Sequence, residues 1–207
     1  MTSQTKDIID FLAGIERGSY LDHLRAQRPE TRLNAQRSYE ALFEPEHSGS
    51  VTPAERFAVA TFVAGLHKAV EAGSFYSSRL QDEAHGSALV AVIRAELERG
   101  DALGPYGHYP AGPLSSEDRP GLVYEVSGES RKLLDEKLSA ALEHSHLLVL
   151  RPREASANAL QRLLDAGWTT TGIVTLSQLV AFLAFQIRVV AGLRALAANA
   201  ANVGQVA

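Results

Sequence analysis

Glu55 and His67 are the side chains whose types and positions could move a proton. Glu55 sits in an apolar neighbourhood that includes Phe57, Val59 and Ala60. A carboxyl partly buried there is pushed toward neutrality, which suits a general acid or base. Its spacing to Thr52 also fits a capping box, in which the same carboxylate closes the start of a helix. Both readings stand on the sequence. His67 lies twelve residues further on, near the end of the same predicted helix. Twelve residues turn an ideal helix by about 120°, so the two share no narrow stripe but can border one wide pocket. An imidazole there suits a proton shuttle or a polar contact, and equally a helix end satisfied by carbonyls.

Other candidates are weaker. Gln178 and Gln186 interrupt a long apolar run and are expected on roughly one face, with Arg188 just beyond. Buried amides need partners, so these residues line a pocket or, as the reading preferred here, bond across a subunit interface or within the structure. His144 and His146 flank Ser145. Two positions apart on a helix they point in different directions, so no metal site is expected. No glycine-rich phosphate loop, Ser-His-Asp order or zinc signature is present, and no cofactor is expected. The chain contains no cysteine. That excludes disulfides, thiolate ligands, cysteine nucleophiles and dithiol redox chemistry within this polypeptide.

The elements that must position these groups read as helices throughout, an all-α protein. The central stretch is 52–80. Thr52 caps, Pro53 suits the first helical position, and an apolar helix runs to Leu66. Gly73 and Ser74 are expected to break it, with Ser74 capping a further helix through Leu80. A helical pattern follows over 84–97, ending at Gly100. N-terminal to this core, 7–15 is a helix stopping near Gly18. Pro29 divides a second helical pattern over 20–43, and 44–50 is a polar linker. The expected organisation is an N-terminal helical arm with linker, 1–50, and a helical domain, 51–207.

Residues 101–122 hold eight glycines and prolines together with Tyr106, His108 and Tyr109. They predict a long ordered loop of the kind that covers a site or an interface. Amphipathic helices follow over 127–142 and 153–165, the second closed by Gly167. A last helix runs from Thr170 or Thr171 to about Ala198. The one strand candidate, 147–150, is short and isolated. The apolar run 172–187 contains Thr175, Ser177, Gln178 and Gln186, with Arg188 next. It is read as a buried core helix rather than a membrane span.

The balance of 45% hydrophobic and 21% charged residues is that of a globular chain long enough to bury a core. A net charge of −4 with no basic block argues against nucleic-acid binding. The N-terminal residues show no basic segment followed by an apolar one, so a cytoplasmic protein is expected.

At 52–80 and again at 166–193 the chain resembles the carboxymuconolactone decarboxylase and alkylhydroperoxidase AhpD-like family. The features are Glu55-Arg56, a small-residue helix and a turn into a second helix. Later comes Ala166-Gly167, leading into a helix that ends AFLAFQIR, 181–188. The resemblance covers 52–97 and 127–196 and implies an AhpD-like helical fold assembled as a homo-oligomer, a dimer, trimer or hexamer. Peroxidase members carry a Glu, a Cys-x-x-Cys and a His. By that resemblance the Glu falls on Glu55, the cysteines near Ala69 and Ala72, and the His near Tyr76. Alanine can be neither oxidised by peroxide nor resolved as a disulfide, so the family's peroxidase activity is not expected.

The resemblance thus implies a thiol-free relative that binds a small organic molecule near Glu55, His67 and Tyr76. If catalytic, it would run acid–base chemistry of the decarboxylase, isomerase or lactone type. Tyr76 would donate a hydrogen bond to the ligand, or else serve as a core tyrosine. The alternative is a non-catalytic structural or regulatory subunit, paired with a cysteine-bearing relative.

Overall fold

A computed structural model describes residues 7–204. Among them are nine α-helices, two short 3-10 turns and no strand, so the protein is all-α. The chain divides into two compact units, one of residues 46–183 and one that joins the chain up to Pro45 with residues from Ala184 onward.

In the smaller unit, the side chain of Asp7 caps α1 (Ile8–Ala13), which stops at Gly14 with φ 69° rather than at Gly18. Ser19 caps α2 (Tyr20–Ala26). Pro29, the residue that divides the sequence pattern, opens α3 (Pro29–Phe43) from its first turn, where its missing N–H costs nothing. Arg25 and Arg32 bridge the three helices through Asp7, Asp10 and Asp22. Beneath this network Ile8, Ile9, Leu12, Tyr39 and Phe43 are buried.

The larger unit is built around α4 (Pro53–Leu66). The capping box forms as the spacing predicts, Thr52 with Glu55. Phe57, Val59, Phe62 and Val63 are all at most 2% exposed, so this helix is buried nearly all round. It is surrounded by α5 (Val70–Gln81), α6 (Gly86–Arg99) and α7 (Gly128–Leu150). Buried Arg56 ties the preceding linker down by donating to the carbonyls of Val51 and Ser48, at 3.1 and 3.0 Å.

Further features differ from the sequence reading. The break after α4 falls at His67–Ala69, where Lys68 takes φ 55°, and not at Gly73-Ser74. Gly73 and Ser74 are interior to α5. A glycine weakens a helix without ending it, and here packing of Ala72, Tyr76 and Leu80 against the core outweighs that weakness. Residues 147–150, the strand candidate, are the last turn of α7, with Leu147 and Leu150 buried. Within α7 Asp135 leaves helical geometry (φ 65°), and its carboxylate accepts from Leu138 N at 2.9 Å to cap the following run.

The 101–122 segment is an ordered loop. It carries one 3-10 turn, Pro113–Glu117, and a single antiparallel bridge between Gly107 and Arg119. After α8 (Ala157–Asp165), Trp168 donates through Nε1 to Lys137 O at 2.7 Å. The last helix, α9 (Thr170–Gly204), begins in the larger unit and runs on into the smaller one. Its stretch Thr170–Asn199 is long and apolar enough to cross a membrane; an 18-residue window in it has mean hydropathy 1.9, and half of that window is buried.

The position of Gly73 gives a direct test of the revised boundary. A Cβ added there meets nothing within 4 Å. Gly73→Ala is therefore expected to stabilise the protein by roughly 0.5–1 kcal/mol, the helix-interior difference between the two residues. Urea unfolding measures this, and a loss of stability would return the break to Gly73.

Candidate functional site

The structure separates the residues singled out by sequence. Glu55 and His67 stand at opposite ends of α4, about 18 Å apart along its axis. Both oxygens of Glu55 are engaged. Oε2 accepts from Thr52 N at 2.7 Å and from its hydroxyl at 3.0 Å, and Oε1 lies 2.6 Å from Lys137 Nζ. Lys137 in turn donates to Ser50 O at 3.0 Å and lies over the Trp168 ring. His67 is the half-buried C-cap of α4. Tyr76 is fully buried and meets Phe75 edge-on at 5.1 Å.

Ala69 is the N-cap of α5, and Ala72, 3% exposed, is in its first turn. Ala69 borders a cavity of about 350 Å³ between α4, α5 and α6, whose other walls include Gly65, Lys68, Gly73 and Leu97. Glu55, His67 and Tyr76 are absent from its wall. They are absent too from a cavity under the 101–122 loop, from one in the smaller unit and from one around His144. The two glutamines do not share a face: Gln178 is exposed and Gln186 buried. Eight residues at 100° each leave about 80° between them, enough to turn one outward. Arg188 is exposed and donates to Ala184 O at 2.9 Å.

The cavity with chemistry in its wall is the one around His144. It has a volume of about 110 Å³. One face of α7 supplies Ala140, Glu143, His144 and Leu147, positions that recur at helical spacing, and Arg151 follows as the helix's C-cap. Glu154, Ser156, Ala159, Arg162 and Leu163 close it from the following turn and α8, with Tyr124 at one side. His144 is 6% exposed, and neither ring nitrogen has a hydrogen-bond partner among the described residues. Burial lowers its pKa and holds the ring neutral. A neutral imidazole has one N–H donor and one acceptor nitrogen. In the cavity wall that pair can accept a proton at one nitrogen and release one from the other.

A buried carboxylate next to the cavity fixes this arrangement. Glu96 of α6 is fully buried. It accepts from Tyr124 Oη at 2.8 Å, from Ser127 Oγ at 2.7 Å and from Ser127 N at 3.3 Å. Ser127 is the N-cap of α7, so a negative charge is held where the helix dipole favours it. Burial alone would raise the Glu96 pKa, but the donors from Ser130, Ser127 and Tyr124 outweigh it and leave the group below its ordinary value. Burial and the Glu96 carboxylate together push the Tyr124 hydroxyl far up, so it stays a donor. The Tyr124 ring stacks on His146 at 4.7 Å, and His146 Nε2 lies 3.0 Å from Gly100 O. Burial lowers the His146 pKa as well.

The 101–122 loop is joined to the cavity's rim. Glu154 Oε1 accepts from His108 N at 2.9 Å and lies 3.0 Å from His108 Nδ1, while Oε2 accepts from Arg151 at 2.6 Å. Among the described residues no group of three or more metal-ligating side chains is arranged to hold an ion.

Sequence reasoning overlooked Glu96, Tyr124 and the cavity role of His144. One signal was present. Glu96 falls three after Ile93 on the apolar face of α6, where a charge needs a reason. His144 was weighed only as a metal ligand with His146, because nothing in one helix reveals what α8 places opposite it. No known protein-family profile matches the chain, and no curated protein matches it.

Two buried neutral histidines make stability depend on pH. The unfolded chain takes up protons below the ordinary histidine value of 6.5, whereas the folded chain resists until a lower pH. The contribution is thus complete above 6.5 and is lost as pH falls below it, at up to about 1.4 kcal/mol per pH unit per histidine. Urea unfolding at pH 7.5, 6.5 and 5.5 is expected to show declining stability, with a smaller decline in His144→Asn. A flat profile in the native protein would contradict the burial argument.

Proposed function

We propose that this protein binds a small polar organic molecule in the His144 cavity and that His144 is the group that moves a proton if the molecule is turned over. One observation carries the reading: a histidine 6% exposed, in the wall of a cavity, with both ring nitrogens unmatched by protein. Leaving buried polar atoms unpaired costs about 1–3 kcal/mol each. A structure that keeps two in one ring at a cavity wall is suited to a partner from outside the fold. Glu55 is a poorer proton carrier, since the capping box and Lys137 occupy its carboxylate.

The likeness to the AhpD-like family is retained as part of this proposal. What supports it is the all-helical class together with the residues of 52–80 and 166–193. Thiol peroxidase chemistry is not part of it, because the chain has no cysteine. A cytoplasmic, homo-oligomeric protein is likewise proposed. Val174, Phe185 and Leu196 of α9 are 51%, 43% and 46% exposed, apolar surface of the kind that a second copy covers.

A thermal-shift screen of small acids, alcohols, amides and amines tests the binding. At least one compound is expected to raise the Tm of the native protein by several degrees, an effect lost in His144→Phe, which fills the cavity. If every compound acts on both proteins alike, the assignment is wrong. Light scattering on the same preparation is expected to give a mass above the 22.3 kDa of one chain. A monomer at micromolar concentration would remove the oligomer from the proposal.

A further inference from the structure

The charged groups around the His144 cavity are not all paired, and the unpaired one specifies a ligand. Its wall holds Glu143, Glu154, Arg151 and Arg162. Glu143 is matched by Arg131 and accepts from Val126 N at 3.0 Å. Glu154 is matched by Arg151. Arg162, on the exposed side of α8, forms no ion pair among the described residues. Arg131 also serves Glu136, so the charges balance in number, but Arg162 is the wall cation left without an ion partner.

The unmatched buried atoms add a second constraint. Arg151 Nε is buried and has no hydrogen-bond acceptor among the described residues. His144 offers one further donor and one acceptor. His144 and Arg151, the C-cap of α7, line the same cavity. Ala140, Leu147, Ala159 and Leu163 supply apolar wall between the polar groups.

Resting on the binding site proposed above, we infer that the ligand is a small monocarboxylic acid bearing a hydroxyl group. Its carboxylate is held by Arg162 and by the Nε–H of Arg151. Its hydroxyl exchanges hydrogen bonds with the imidazole of His144. One unpaired guanidinium matches one negative charge; a phosphate dianion would be left under-compensated. Size agrees. A dry cavity of about 150 Å³ accommodates benzene, with six heavy atoms, so about 110 Å³ encloses roughly four or five. Glycolate has five.

The test uses glycolate, acetate and glycolamide as probes, binding being followed through the ring resonances of His144 in the intact protein. Glycolate is expected to shift and saturate them. Glycolamide, its neutral counterpart, and acetate, which lacks the hydroxyl, are expected to bind more weakly. Arg162→Gln alters an exposed side chain that the fold does not use. It is expected to weaken glycolate roughly tenfold or more, the loss of one charge-assisted contact, and to leave glycolamide unchanged. Binding of glycolamide as tight as glycolate, or no effect of Arg162→Gln, would overturn the anion assignment while the cavity remains a binding site. Acetate binding as tight as glycolate would overturn the hydroxyl. If no probe moves the His144 resonances, the site itself is wrong.

Discussion

The buried carboxylate of Glu96 is the interaction on which the larger unit's geometry depends. An ionised group taken out of water is costly unless several donors replace its hydration. Glu96 collects them from Tyr124 and Ser127, and the helix start at Ser127 adds its dipole. The consequence is positional. The long loop after α6 must end where Tyr124 meets Glu96, and α7 must begin where Ser127 does. The first run of α7 is registered from that point, and Asp135 re-caps the second run, which carries Glu143 and His144. Tyr124 then transmits the constraint a second time, by stacking on His146.

The cavity inherits both its shape and its chemistry from this anchoring. Burial makes His144 neutral, and neutrality is what gives it simultaneous donor and acceptor character. The carboxylates nearby are already committed, one to Arg131 and one to Arg151, so they shape the field without competing for a ligand. Glu154 also reaches the 101–122 loop through His108, which places the loop's backbone at the rim of the site. A loop rich in glycine and proline is thereby held by a side chain from the 3-10 turn Pro152–Glu154 that follows α7, not by its own backbone pairing alone.

Glu55 shows how one spacing can serve two purposes on paper and only one in three dimensions. Its offset from Thr52 satisfies the capping box, and Lys137, brought across from α7, occupies the remaining oxygen. A carboxylate with both oxygens engaged at a helix start is a structural group. The likeness to the AhpD-like family proposed above draws attention to the same residues. In this chain the positions that would carry thiols are a cap alanine and a buried alanine.

By itself the sequence determined the helical class, the capping box at Thr52, the ordered loop at 101–122 and the exclusion of thiol chemistry. Each is a local property: side-chain periodicity, one cap, glycine and proline density, or the absence of an element from the composition. Tertiary structure alone decided that Gly73 is interior to a helix, because burial of Ala72, Tyr76 and Leu80 outweighs a glycine's weak propensity. It alone decided that Glu96 is buried, that His144 faces a cavity and that Arg162 stands opposite it. These depend on which helices meet across distances of tens of residues, and no local pattern records the partner that a side chain will face.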